Sequence, residues 1–221
     1  MSTPAQTLVK ICGLNDAAAV DAAVEAGADY LGFIIFAKSP RHVSPAEAGA
    51  LSRRKGGAKS VAVLVDPNDA QLAAVLMTMR PDFIQLHGQE GAARCFDARQ
   101  YCELGVWKAM GVSTADDLAG ADPYRGRVDG FVFDAKPPRG ADRPGGLGAA
   151  WDYDLLKDFE AGAPWLLAGG LTVDTVAGAI ARSGAAGVDV VSGTESAPGV
   201  KDPAKIRAFI AAARRPGALA S

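Results

Sequence analysis

Eight short apolar runs, each followed by an Ala-rich, helix-like stretch, recur every 22 to 35 residues along this 221-residue chain, and that rhythm predicts an α/β fold: a single (β/α)8 barrel spanning 1–221. Two further observations agree. The runs are rich in β-branched and aromatic residues without polar alternation, as in strands buried on both faces. The composition is 49% hydrophobic and 22% charged, with 7% aromatics and 26 glycines. That suits helices packed closely on a sheet better than an all-β sandwich. A doubly wound sheet usually has five or six strands and a Gly-rich fingerprint behind the first, whereas Ile11-Cys12 is followed by Gly13 alone.

The predicted strands are Leu8–Cys12, Tyr30–Phe36, Ser60–Val65, Phe83–His87, Val106–Gly111, Gly130–Asp134, Trp165–Gly169 and Gly187–Val191. Polar caps, several followed by proline, open the helical stretches between them. Asn15-Asp16 precedes Ala17–Ala26, Ser44-Pro45 precedes Ala46–Arg54, and Asp66-Pro67-Asn68 precedes Asp69–Met79. Ser113 precedes Thr114–Ala119, Thr172 precedes Val173–Arg182, and Asp202-Pro203 precedes Ala204–Arg214. Turns such as Glu25-Ala-Gly-Ala-Asp29 and Ser183-Gly-Ala-Ala-Gly187 place a glycine at the helix end, where a left-handed residue is wanted.

A net charge of −2 gives no basic excess for nucleic acid. No run reaches the ~18 apolar residues that span a bilayer, and no basic segment with an apolar core opens the chain. Cys12, Cys95 and Cys102 are odd in number and form no C-x-x-C pair, which disfavours a disulfide framework or zinc site and fits a reducing cytoplasm. His42 and His87 are too few for a His-rich metal centre. The expected partner is a small molecule, with no nucleic acid, membrane or metal, and the expected assembly is a monomer or homodimer.

In a barrel of this kind the active site lies where the strands end and the loops into the helices begin. Cys12 closes the first strand. It is either a small buried hydrophobe or a base, and its position favours the base. Acting as a base requires a thiolate, hence a pKa below the free value of about 8.5. Lys10, two residues earlier on the same strand face, can supply positive charge. Asp134 ends the sixth strand, where an unpartnered carboxylate is costly; it either caps the following loop or serves the chemistry. Arg41 stands in the proline-stiffened Ser39-Pro40-Arg41 loop, suited to bidentate capture of a carboxylate or else simply solvated. His87 can bond a ligand or satisfy the core. Gly169-Gly170 and Ser192-Gly193, after the last two strands, offer backbone N–H groups to a phosphate. The longest gap, following Asp134, contains Lys136 to Gly148 and reads as a lid or as a plain insertion.

Lys10-Ile-Cys-Gly-Leu14, Ser39-Pro-Arg-His-Val43, Gln85-Leu-His-Gly88 and the strand-ending Asp134 together resemble the phosphoribosylanthranilate isomerase family. Leu167-Ala-Gly-Gly-Leu171 and the stretch from Gly187 through Ser192-Gly193 and Glu195 to Asp202 continue the resemblance over essentially the whole chain. The resemblance implies an isomerase of tryptophan biosynthesis that performs an Amadori rearrangement without a cofactor. It implies Asp134 as general acid, Cys12 as general base, Arg41 as the grip on the anthranilate carboxylate, and Gly170, Ser192 and Gly193 as phosphate holders, with His87 at the substrate. Two positions depart from the family pattern: Leu147 and Val191 each stand where a hydroxyl is common, although the backbone donors survive. The alternatives are another phosphate-sugar isomerase or epimerase, or a silent barrel that binds a phosphometabolite. The two-aspartate design of the histidine-pathway isomerases finds Cys12 at the first strand and no aspartate near Gly111, and a silent barrel needs neither Cys12 nor Asp134.

Overall fold

Eight parallel strands close into a barrel in sequence order, β1 pairing with both β2 and β8, in a computed structural model that describes residues 6–100, 105–136 and 150–215. The strands are β1 (Leu8–Cys12), β2 (Tyr30–Ile34), β3 (Lys59–Leu64), β4 (Phe83–Leu86), β5 (Val106–Val112), β6 (Gly130–Ala135), β7 (Trp165–Leu167) and β8 (Gly187–Val190). The helices are α1 (Ala17–Glu25), α2 (Pro45–Ser52), α3 (Asp69–Thr78), α4 (Ala92–Arg99), α5 (Ala115–Ala119), α6 (Val176–Ser183) and α7 (Pro203–Ala213). The predicted barrel is therefore the observed one.

The caps explain most helix starts. Asp16 accepts from the Ala19 N–H, Ser44 and Glu47 form a reciprocal box, and so do Asn68 and Gln71. Gly184 ends α6 at φ +69. α6 begins at Val176 rather than Val173, because Thr172 and Thr175 first build a hydroxyl-bonded turn.

Some boundaries differ from expectation. β2 stops at Ile34, where the chain turns and His42 bridges back to that residue. β4 and β7 end at Leu86 and Leu167, leaving His87 and Gly169 in loops, whereas β5 and β6 run one residue past Gly111 and Asp134. Between β6 and β7 the described residues hold a 3-10 turn, Tyr153–Leu156, and no α-helix. Asp152 caps that turn, and Asp158 at φ +62 and Gly162 at φ +76 bend the chain away from helical continuation. After β8 a small hairpin, unforeseen in the sequence, pairs β9 (Glu195–Ala197) with β10 (Val200–Lys201).

Strand alternation sorts the side chains. Ile11, Leu31, Phe33, Ile84, Leu86, Phe131, Phe133 and Leu167 face outward and pack with helix residues such as Val20, Leu72, Ile180 and Phe209. Inside the barrel are Cys12, Val61, Val63, Trp107, Ala109, Val132, Leu166 and Ala168. Tyr30, Phe83 and Trp107 pack ring on ring at its N-terminal end, with centroids 4.8 to 6.0 Å apart. This aromatic plug leaves the opposite end for chemistry.

Candidate active site

Cys12 lies opposite Gly32 in the β1–β2 register, and a Cβ built at Gly32 would stand 2.7 Å from its Sγ. The missing side chain at 32 is what gives the thiol its space. Sequence reasoning overlooked Gly32, since a lone strand glycine signals a close approach without naming the partner. One step down the strand, the buried Lys10 Nζ donates to Asp189 Oδ2 at 2.8 Å. Burial pushes the Cys12 thiol up, and the neighbouring Lys10 and Lys201 charges reduce that rise without cancelling it. Lys10 thus supplies the anticipated positive charge, but desolvation wins and the free thiol stays protonated. For Lys10, burial favours the neutral amine, yet opposing interactions led by the Asp189 carboxylate outweigh it and hold the ammonium.

Asp134 is buried near the end of β6. Its Oδ1 accepts from the Ala135 N–H at 2.8 Å, and its Oδ2 faces His87 Nε2 at 3.6 Å. Gly169, at φ +87, brings the β7 turn against it: a Cβ there would lie 3.0 Å from Asp134 Oδ1 and 2.6 Å from the Ala135 nitrogen. His87 is held from behind by Gln85, whose Nε2 lies 3.1 Å from Nδ1. With Gln85 donating, Nδ1 is the acceptor and Nε2–H points at the carboxylate. Gln85 Oε1 is buried and unpartnered among the described residues.

The His87 backbone is clamped too. Lys108 Nζ donates to the carbonyls on either side of it, Leu86 at 3.3 Å and Gly88 at 2.7 Å, and to Glu90 Oε2 at 2.9 Å. Glu90 in turn accepts from the Asp66 and Gly88 N–H groups. Gln85, Lys108 and Glu90 are further site residues that the sequence reading missed. A polar residue inside an apolar strand, Lys108 in Val-Trp-Lys-Ala, was the available signal.

Arg41 is not a solvated surface residue. It is 3% exposed, and its Nε and Nη2 donate to the two carboxylate oxygens of Glu195, each at 2.8 Å. Its aliphatic stem lies over Gly13, at φ +76, where a Cβ would come 3.2 Å from Arg41 Cγ. With one edge of the guanidinium taken, the Nη1 group makes no hydrogen bond among the described residues and remains for a ligand.

The turns after β7 and β8 touch. A Cβ at Gly193 would stand 2.0 Å from the Leu171 carbonyl oxygen, so only glycine permits this contact. Gly170 holds φ +66, and Ser192–Thr194 forms a single 3-10 turn. Among the described residues the N–H groups of Gly170, Ser192 and Gly193 find no acceptor. Three such donors on two abutting turns have the chemistry to receive an anion. Of the lid expected from Lys136 to Gly148, residues 137–148 lie outside the described residues. Among those residues no group of three or more His, Cys, Asp or Glu side chains is placed to hold a metal, and no helix is long and apolar enough to cross a membrane.

Residues 9–212 match the family of N-(5'-phosphoribosyl)anthranilate (PRA) isomerase. An N-(5'-phosphoribosyl)anthranilate isomerase of Rhodopseudomonas palustris (strain BisA53) is 52% identical over 93% of this chain and 95% of its own. The crystal structure of the Thermotoga maritima enzyme is 32% identical, with a TM-score of 0.84 over 94% of this chain and 98% of that one. A phosphoribosylanthranilate isomerase solved in complex with reduced 1-(o-carboxyphenylamino)-1-deoxyribulose 5-phosphate is 30% identical, with a TM-score of 0.80 over 94% of this chain and 98% of that one. Barrel and sequence point the same way: the chain belongs to the phosphoribosylanthranilate isomerase family.

Proposed function

We propose that this chain converts N-(5-phosphoribosyl)anthranilate into 1-(2-carboxyphenylamino)-1-deoxyribulose 5-phosphate, with Asp134 as general acid and Cys12 as general base. Asp134 gives a proton to the ribose ring oxygen as the C1–O bond breaks, leaving a protonated imine between C1 and the anthranilate nitrogen. That cation acidifies the C2 hydrogen, which Cys12 removes to form an enolamine. Proton delivery to C1 with loss of the C2 hydroxyl proton then yields the ketone; the substrate nitrogen gives its lone pair at ring opening and takes the electrons back when C2 is deprotonated. Arg41 Nη1 takes the aryl carboxylate, and the Gly170, Ser192 and Gly193 N–H groups take the phosphate. His87 Nε2–H faces the reacting oxygen alongside Asp134.

The observation that carries this reading is the seat of Cys12, a buried thiol at a strand end, flanked by the Lys10 and Lys201 charges. Such a thiol is protonated at rest; added positive charge beside it favours the thiolate, so that it releases its proton to solvent and can then act as the base. The protonated imine delivers that charge at the step that needs it. A reducing cytoplasm suits the free thiols of Cys12 and Cys95.

The test follows the fluorescence of phosphoribosylanthranilate, generated in situ from anthranilate and phosphoribosyl pyrophosphate by a transferase. The wild-type chain should accelerate its decay. Cys12→Ala and Asp134→Asn should each lose at least ~10²-fold in kcat, the scale of a general acid–base contribution. Near-normal turnover in either variant would refute the assigned roles, and no acceleration by folded wild-type protein would reject the substrate.

A further inference from the structure

We propose that Glu195 and Lys201 are positioning residues that tie Arg41 to the β8 turn, so that the barrel mouth gauges the separation between the two anionic ends of its substrate. The inference rests on the substrate reading above and names the residues that set its span.

The Lys201 side chain is wholly buried beneath the β8 turn. Its Nζ donates to the Val191 carbonyl at 2.6 Å and to Thr194 Oγ1 at 3.1 Å, the two residues that bracket Ser192-Gly193. The same ammonium stands 3.4 Å from Glu195 Oε1. Glu195 in turn offers both oxygens to Arg41. An unbroken line of charged contacts therefore runs from the β2 loop to the turn proposed to hold phosphate.

The backbone reinforces that line. Gly199, at φ +82 in the β9–β10 hairpin, lies so close to the Arg41 loop that a Cβ would come 2.5 Å from the Pro40 carbonyl oxygen. Asn15 Nδ2 donates to the Gly199 carbonyl at 2.9 Å, and Lys205 Nζ to the Glu195 carbonyl at 2.8 Å. The hairpin is thus tied to the Arg41 loop, to the loop after β1 and to α7.

Charge supports the same conclusion. Arg41 and Lys201 are two buried cations sharing one carboxylate, which leaves this trio one positive charge in excess. For stability alone, a neutral pair or an apolar filling would serve as well. An excess cation between two anion sites serves a ligand charged at both ends.

The test uses inorganic phosphate and benzoate as separate inhibitors of the full chain in the fluorescence assay, with wild type, Lys201→Met and Lys201→Gln compared. In Lys201→Met both inhibition constants should rise by at least ~5-fold, and KM for phosphoribosylanthranilate should rise more than kcat falls, as expected when positioning is lost. Lys201→Gln, which keeps a donor for Val191 without the charge, should lie between the two at both ends. It also carries the comparison if circular dichroism shows Lys201→Met unfolded. A loss confined to phosphate, or no loss, overturns the proposal while leaving the substrate reading intact. Wild-type protein inhibited by neither probe overturns the substrate reading and this inference with it.

Discussion

At Cys12, two effects of opposite sign act on one proton. Desolvation favours the neutral thiol, while the ammonium groups of Lys10 and Lys201 favour the thiolate, and desolvation is the larger. Alkylation of Cys12 by iodoacetamide in the unliganded protein should therefore be slow at neutral pH and should accelerate only above the ordinary thiol range, with Cys12→Ala giving the background. A rate that levels off below pH 8 would contradict this. Cys95 belongs to that background, since its own thiol is pushed up to about 11, chiefly by burial. Lys10 two residues away does face Cys12, yet proximity of charge by itself did not decide the protonation state.

Among the elements, the barrel is knitted at its strand starts by carboxylates that accept from neighbouring backbones. Asp82, just before β4, accepts from Ser60 N–H at 2.7 Å and Ser60 Oγ at 2.8 Å, and also pairs with Lys55. Burial would raise its pKa, but these bonds outweigh it and hold the carboxyl below its usual value of 3.8. A carboxylate depressed in the folded state contributes stability above its unfolded pKa and loses it as pH falls through the folded one. Asp82→Asn should thus destabilise the protein by ~1–3 kcal/mol at pH 7, the scale of a broken buried bond, and by less below pH 3. Urea unfolding at both pH values measures the difference, and an equal loss at each would show that charge is not the cause. The strands and capped helices themselves were readable locally, because a cap and the apolar run beside it lie within a few residues. The segment between β6 and β7 was less readable: its 3-10 turn depends on left-handed residues whose conformation composition does not announce.

Across the whole molecule, the barrel's closure makes the site. Leu167 pairs with Val188, and this brings the turn after β7 against the turn after β8. At Gly193 the contact is backbone on backbone, with no flexible side chain to give way. Gly193→Ala should therefore separate the two turns and weaken inhibition by inorganic phosphate by at least ~10-fold, about 1.4 kcal/mol. In wild type, phosphate at 100 times its Kd should add about 2.7 kcal/mol of stability, and thermal unfolding of the variant should show most of that gain lost. A variant stabilised by phosphate as strongly as wild type would remove the β8 turn from the proposed cradle.

The repeat, the strand ends to within two residues, and the candidate residues Cys12, Arg41, His87, Asp134, Gly170, Ser192 and Gly193 could be read from the chain in one dimension. Each depends on a pattern within a few positions: an apolar run, the polar residue that ends it, a glycine pair. Their partners could not be read that way. Glu195 meets Arg41 across 154 residues of chain, Asp189 meets Lys10 across 179, and Gly32 makes room for Cys12 from the neighbouring strand. Local patterning decides which residues end strands. Which of them then share a proton, a charge or a cavity follows from β8 closing on β1, and that closure is collective and leaves no mark at any single position.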